Sequence, residues 1–220
     1  MTYDIVFAGP RNRYTIVTDA GPLIVHNCGY GMGATKLAAT CAAGALGGPA
    51  IILTGEEAAH AIKVYRTRHD RVVKRWYQGD DALCVMAQGG SMDWGAIRIE
   101  ATGARLPNDA LIPFELKPDE VRSGWLRRTR AGYAPIWGGG LVENVVQGMA
   151  RVVISEAMLE MRQTGLPMVL SAHDELVYLA PERSADGALS LLIDAMSRPR
   201  SWLPDCPLAA EGSVMKVYGK

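Results

Sequence analysis

Met168-Val169-Leu170-Ser171-Ala172-His173-Asp174-Glu175-Leu176-Val177-Tyr178-Leu179 places two apolar runs on either side of a polar pair. Each run has strand length and is rich in residues that suit a pleated surface. The stretch reads as a β-hairpin that turns at His173-Asp174, with Asp174 and Glu175 at or beside its tip. A carboxylate fixed at such a tip still faces water. That suits a hard divalent cation such as Mg²⁺, which takes oxygen ligands and keeps several waters. An ordinary polar β-turn has the same local sequence, so the hairpin alone leaves both readings open.

Working outward, Leu141 starts a long helix that runs to about Thr164 and stops at Gly165-Leu166-Pro167. Beyond the hairpin, residues 185–197 have amphipathic helical spacing. Thr54 and Glu57 form a capping box that opens a helix reaching about Gln78. Ala58, Ile62, Tyr65, Val72, Val73, Trp76 and Tyr77 are its candidates for a buried stripe. Its other face carries Arg66, Arg68, Arg71, Lys74 and Arg75, which a solvated surface explains. Residues 28–47 are rich in small residues and helical in tendency. Residues 83–90 read as a short helix or strand, and 96–101 and 110–114 as strands. Residues 115–140, with Pro118, Pro135 and Gly138-Gly139-Gly140, read as irregular. Long helices with short antiparallel strands give an α+β fold class.

Of 220 residues, 23 are Lys or Arg and 23 are Asp or Glu, so the formal net charge is zero. The hydrophobic share, 49%, is enough for one domain with a real core and argues against disorder. Neutrality leaves nucleic acid open, because a local basic groove suffices. Arg127, Arg128 and Arg130 are either phosphate contacts or loop decoration. The five tryptophans are too scattered for a stacking platform and read as packing residues. Cys28, Cys41, Cys84 and Cys206 contain no C-x-x-C pair. This argues against a zinc or disulfide framework and for a reducing, cytoplasmic setting. No apolar run reaches membrane-spanning length, and no signal peptide is legible.

A second chemical feature lies at Gly21-Pro22-Leu23-Ile24-Val25-His26-Asn27-Cys28. Asn27 can attack its own backbone carbonyl with its side-chain amide, closing a succinimide and cutting the chain. His26 is placed to donate a proton there, and Cys28 supplies a thiol nucleophile. Any loop Asn-Cys pair looks similar, so the upstream context matters. Residues 3–17 read as strand, turn, strand, with Gly9-Pro10 as the turn. A second turn at residues 19–22 leads into Leu23-Ile24-Val25.

Residues 3–28 resemble the C-terminal end of an intein, with its last two sequence blocks in order and spacing. The resemblance implies cleavage at Asn27–Cys28, with His26 as acid and Asp4 assisting. Asn12 stands where inteins often carry a His, and it cannot shuttle a proton near neutral pH. The intein's initial nucleophile and Thr-x-x-His block are not found before Tyr3. The expectation is therefore a short all-β C-terminal split-intein fragment, residues 1–27, whose N-terminal fragment is on another chain.

Residues 28–220 resemble the C-terminal fingers and palm portion of a family A DNA polymerase, with phage-type members closest. The resemblance rests on Cys28-Gly29-Tyr30-Gly31-Met32-Gly33, on Leu141-Val142-Glu143-Asn144-Val145-Val146-Gln147, and on the His173-Asp174-Glu175 hairpin. It implies that Asp174 binds catalytic Mg²⁺, that Glu175 is its less critical neighbour, and that His173 lies near the primer end. Tyr30 would sit beside the nascent base pair, and Gln147 would reach the DNA minor groove. Many members have Asn four residues before that Gln. Here Glu143 holds the position and Asn144 follows it. The implied function is a precursor of a template-directed DNA polymerase, completed by trans-splicing, with primer-template DNA and dNTPs as partners. It would transfer nucleotides to a primer 3′-hydroxyl by a two-metal scheme whose second carboxylate comes from upstream of Cys28. The alternative is a truncated or decayed remnant with at most weak DNA binding. If the chain is phage-encoded, the host cytoplasm is the expected location.

Overall fold

The computed structural model describes the backbone of residues 2–6, 13–18, 21–26, 31–44 and 50–218. Side chains are described only within 31–44 and 50–218. In chain order the elements open with β1 (Thr2–Val6), β2 (Arg13–Thr18) and β3 (Gly21–His26). Helices α1 (Ala34–Ala42), α2 (Gly55–Arg68) and α3 (Asp70–Ala87) follow. Then come seven short strands: β4 (Met92–Trp94), β5 (Ile97–Glu100), β6 (Gly103–Arg105), β7 (Leu111–Pro113), β8 (Leu116–Pro118), β9 (Trp125–Thr129) and β10 (Gly132–Ile136). The chain continues through α4 (Gly138–Arg162), β11 (Met168–Ala172), β12 (Glu175–Tyr178), α5 (Ala185–Ser197) and β13 (Glu211–Met215). This is a mixed helix and sheet protein.

The chain forms two compact units. One holds residues 1–11, 106–110 and 147–220; the other holds 12–105 and 111–146. These units cut across the division at 27/28 read from the sequence. That division is read as a cleavage point, which need not coincide with a packing boundary.

In the first unit, an antiparallel sheet runs in the order β11-β12-β1-β13. Ala172 faces Glu175 and Ser171 faces Leu176, which fixes a two-residue loop at His173-Asp174. All four residues of β12 are buried. Leu176 and Tyr178 join Ile154, Ala157 and Met161 of α4 and Ala188, Leu192 and Met196 of α5 in one core. Burying a Leu side chain contributes about 1.5–3 kcal/mol. Arg200, only 6% exposed, reaches Glu156 at 3.3 Å and Glu160 at 2.7 Å on α4 and donates to the Ala195 carbonyl at 2.7 Å.

In the second unit, the Thr54 hydroxyl accepts from the Glu57 N–H at 3.2 Å, and the Glu57 carboxylate accepts from the Thr54 N–H at 2.8 Å. The capping box read from the sequence is therefore present. The helix it opens does not run through to Gln78. It breaks at His69 (φ −114°, ψ 47°), and α3 restarts at Asp70, whose carboxylate meets Lys74 one turn on at 2.8 Å. Residues 83–87, expected as a separate element, are the last turn of α3. Ala58, Ile62, Tyr65 and Trp76 are buried as expected, with Leu37 and Cys41 of α1 beside them. Tyr77 instead lies 68% exposed, one position beside the stripe that α3 buries at Trp76, Gly79, Leu83 and Met86.

Residues 115–140 are not irregular. They hold the three-stranded sheet β10-β9-β8. Pro118 and Pro135 are compatible with it because both belong to edge strands, where a missing N–H breaks no interior ladder. The long helix begins at Gly138 rather than Leu141. Gly138 packs against the α3 backbone at Trp76, Gly79 and Asp80 with no space for a Cβ, and its N–H donates to Asp80 Oδ1 at 2.6 Å.

Candidate functional site

The hairpin tip is built by a rigid strand and a sharp reversal. β12 is held by β11 on one side and β1 on the other, with Val6 opposite Glu175. His173 has φ 51°, in the left-handed region that a two-residue hairpin loop demands and that non-glycine residues enter at some cost. His173 and Asp174 are both exposed. Asp174 has no hydrogen-bond or ion-pair partner among the described residues. Its backbone is held by the hairpin, and its carboxylate is solvated and available to a ligand.

Glu175 is the opposite case. It is 4% exposed, and its Oε1 accepts a hydrogen bond from the Tyr218 hydroxyl at 2.6 Å. A carboxylate held this way serves the sheet and is poorly placed to bind an ion. Tyr218 was not legible as a site residue, because nothing in a single C-terminal aromatic signals its partner.

The α4 helix approaches the same tip. Arg151 Nη1 donates to Ser171 Oγ at 3.2 Å, two residues before His173. Gln147 lies one turn earlier on the same face of α4 and is exposed. Arg151, one turn after Gln147, thus ties α4 to β11, a link that sequence reading missed. Asn144, half-buried, is engaged elsewhere. Its Oδ1 accepts from Arg127 Nη1 at 2.9 Å, and its Nδ2 donates to the Gly140 carbonyl at 2.6 Å. Glu143 is half-buried as well.

Asn27, Cys28 and Tyr30 lie outside the described residues, as do the side chains of Asp4 and His26. The described residues contain no group of three or more His, Cys, Asp or Glu able to hold a metal ion. For Mg²⁺, Asp174 fits as one oxygen ligand with water filling the rest of the sphere. One carboxylate does not make a two-ion clamp. An apolar groove of about 420 Å³, lined by Ser155, Met158, Leu159, Arg162, Leu166, Met168 and Tyr178, includes none of the predicted site residues.

No family model matches the chain. Over 175 residues it is 27% identical to a DNA polymerase of Bacillus phage SP02, a match covering 72% of this chain and 27% of that protein. The chain is homologous to a phage DNA polymerase. It spans only about a quarter of the length of that polymerase. Among solved structures, it resembles the POL domain of a polymerase from M. smegmatis in complex with DNA primer-template and dNTP. There the TM-score is 0.48 and the identity 17%, over 84% of this chain and 27% of that one. The similarity to a phage polymerase agrees with a polymerase reading of the chain and does not bear on the intein reading of residues 1–27. No helix among the described residues is long and apolar enough to cross a membrane.

Proposed function

We propose that residues 28–220 are the C-terminal fingers and palm part of a family A DNA polymerase, made as a precursor behind a split-intein fragment at residues 1–27. The observation that carries the polymerase reading is the 175-residue similarity to a phage DNA polymerase. The solvated, unpartnered Asp174 at a rigid hairpin tip supports it locally.

In this reading the enzyme extends a primer on a DNA template with dNTPs, in the host cytoplasm. Asp174 and a carboxylate from the upstream polymerase fragment would together hold Mg²⁺, which supplies charge stabilisation and activation of the primer 3′-hydroxyl. Asp174 is the loop residue just before β12, which is buried and pairs with a strand on each side. His173 presents its ring at the primer end. Gln147 offers its amide to the minor groove from the α4 face that Arg151 ties to β11. Glu143 and Asn144, one turn earlier, help to shape that helix start. Tyr30 stacks beside the incoming base.

Before any of this, the chain is cut and joined. The Cys28 thiol first takes over the upstream fragment's acyl group, displacing the nucleophile of the N-terminal intein fragment; Asn27 then closes on its own carbonyl with His26 as acid and Asp4 assisting, which breaks the 27–28 bond, and the acyl group moves from the Cys28 sulfur to its freed amine as a peptide bond. Co-expression with candidate upstream fragments, followed by mass measurement, tests this. A joined product containing residues 28–220, lost in Asn27→Ala and in Cys28→Ala, is expected. If only the intact 23.7 kDa chain is found with every candidate, the splicing reading falls and a decayed remnant takes its place.

A further inference from the structure

β1 lies inside the hairpin's sheet and not at its edge. The order β11-β12-β1-β13 sets it between the strand that follows Asp174 and β13. Every residue from Thr2 to Val6 has a partner on β13, from Met215 to Glu211. On the other side the match is shorter. Ile5 faces Leu176 and Val6 faces Glu175, while β12 runs on through Val177 and Tyr178. β11, by contrast, pairs with β12 from Glu175 to Tyr178. β1 has also parted from the strands that follow it. β2 and β3 form a two-stranded sheet of their own and group with the other unit, whereas β1 groups with the hairpin.

These pairings give the removal of residues 1–27 a structural consequence. Taking β1 away opens the facing edges of β12 and β13. Backbone N–H and C=O groups stripped of partners destabilise a sheet until another segment pairs with them. The opened slot has five residues on β13 and four on β12, and it selects an extended backbone. One end of it is Glu175, next to Asp174. The occupant at hand is the upstream fragment. The chain spans 27% of the phage polymerase it resembles, so most of that length lies outside it. Joining at Cys28 holds the fragment at high effective concentration.

We propose that β1 is a stand-in strand. It fills the slot between β12 and β13 until residues 1–27 are removed, and an extended segment of the upstream fragment then takes its place. The first half is a property of the unprocessed chain; the second rests on the splicing and polymerase reading. While β1 is in place, the flank of Glu175 beside the Asp174 tip is closed to the upstream fragment. Full pairing with β13 holds β1 in the slot. Short pairing with β12 lets a strand that matches both sides displace it.

Photocrosslinking from position 213 decides both halves. Ser213 faces Asp4 and is exposed, so it accepts a photoreactive benzoylphenylalanine. In the full chain carrying Asn27→Ala, which keeps it unprocessed, the probe should link to the peptide containing residues 2–6. Adding Ile5→Pro, which removes an N–H from an interior strand, should abolish that link. It should also speed hydrogen exchange at residues 211–215 by about tenfold and leave residues 125–136 unchanged. No link to residues 2–6 with Ile5 in place, or exchange at 211–215 that ignores Ile5→Pro, would overturn the stand-in role. If Ile5→Pro loosens residues 125–136 as well, the link with Ile5 in place decides. In the joined enzyme the same probe should link to the upstream fragment, with residues 211–215 exchanging no faster than in the precursor. Links to residues 168–178, which mean that β13 has closed on the hairpin, or to a second copy of the enzyme, would overturn the replacement. If no upstream fragment gives a joined product, the replacement falls with the splicing reading, and the precursor link still decides the stand-in role. A joined product that shows the upstream link but extends no primer would sink the polymerase reading and leave the replacement standing.

Discussion

Two hairpins in this protein are alike in loop length and opposite in the sign of the charge at their tips. β9–β10 and β11–β12 each turn through two residues, with Thr129 opposite Gly132 in the first and Ala172 opposite Glu175 in the second. On the first, the polar side chains of the strands have partners. Arg127 bonds Asn144, Arg128 pairs with Glu115 at 3.3 Å, and the Tyr133 hydroxyl donates to Glu115 Oε1 at 2.5 Å. Lys117 lies over the Tyr133 ring at 4.2 Å. On the second, the strand is buried and the tip residue Asp174 has no partner among the described residues. The first hairpin pairs the charges on its strands with neighbours and leaves Arg130, at its tip, exposed and without a partner among the described residues. The second keeps a rigid base and leaves its tip carboxylate unspoken for. The two tips therefore differ in the sign of the charge they leave open, a cation on the first and a carboxylate on the second, and only the carboxylate suits the metal ion of the proposed function.

The contrast can be broken by mutation, starting where the effect is largest. Leu176→Ala empties a fully buried position beneath the Asp174 hairpin, and should destabilise its unit by about 2–5 kcal/mol in denaturant unfolding. Arg127→Ala removes the charged donor to the half-buried Asn144, and should lower stability by about 1.5–3 kcal/mol. An Arg127 that served only phosphate would leave unfolding unchanged.

The β9–β10 side should also be sensitive to acid. The Tyr133 hydroxyl, with Arg128 as a further contributor, holds the Glu115 carboxyl below the ordinary glutamate range. A carboxyl with a lowered folded pKa contributes stability that is complete above its unfolded pKa and is lost as pH falls through the folded one. Melting temperature should therefore fall from about pH 6 to about pH 3 less steeply in Glu115→Gln than in the parent. Glu115 is well exposed, so the difference should be small. The smallest stability effect belongs to Asp174→Ala. With no partner to lose, it should stay within about 0.5 kcal/mol of the parent.

The Asp174 hairpin was legible because two strand-length apolar runs met at a polar pair, a purely local signal. Helix α5 and the Thr54–Glu57 capping box were legible for the same reason. What failed to show was set by neighbours far along the chain. The Pro-containing strands β8 and β10 exist because they sit at sheet edges, which sequence alone does not announce. The glycine run at 138–140 looked like a helix breaker, since glycine is a poor helix former. It belongs to α4 because Gly138 must pass the α3 backbone and Gly139 the Trp137 ring. The burial of Glu175 was hidden too, because Tyr218 lies 43 residues away. Asp174 and Glu175, adjacent in sequence, thus separate into an exposed residue and a buried one only in the fold.

The account stands on Asp174 as a carboxylate kept for chemistry and not for structure. The direct measurement is primer extension by residues 28–220 joined to the upstream polymerase fragment, with parent and Asp174→Ala compared at equal stability. The parent should extend a primer, and the variant should lose on the order of 10³-fold or more of that rate. Extension by Asp174→Ala at a rate near the parent's would contradict it.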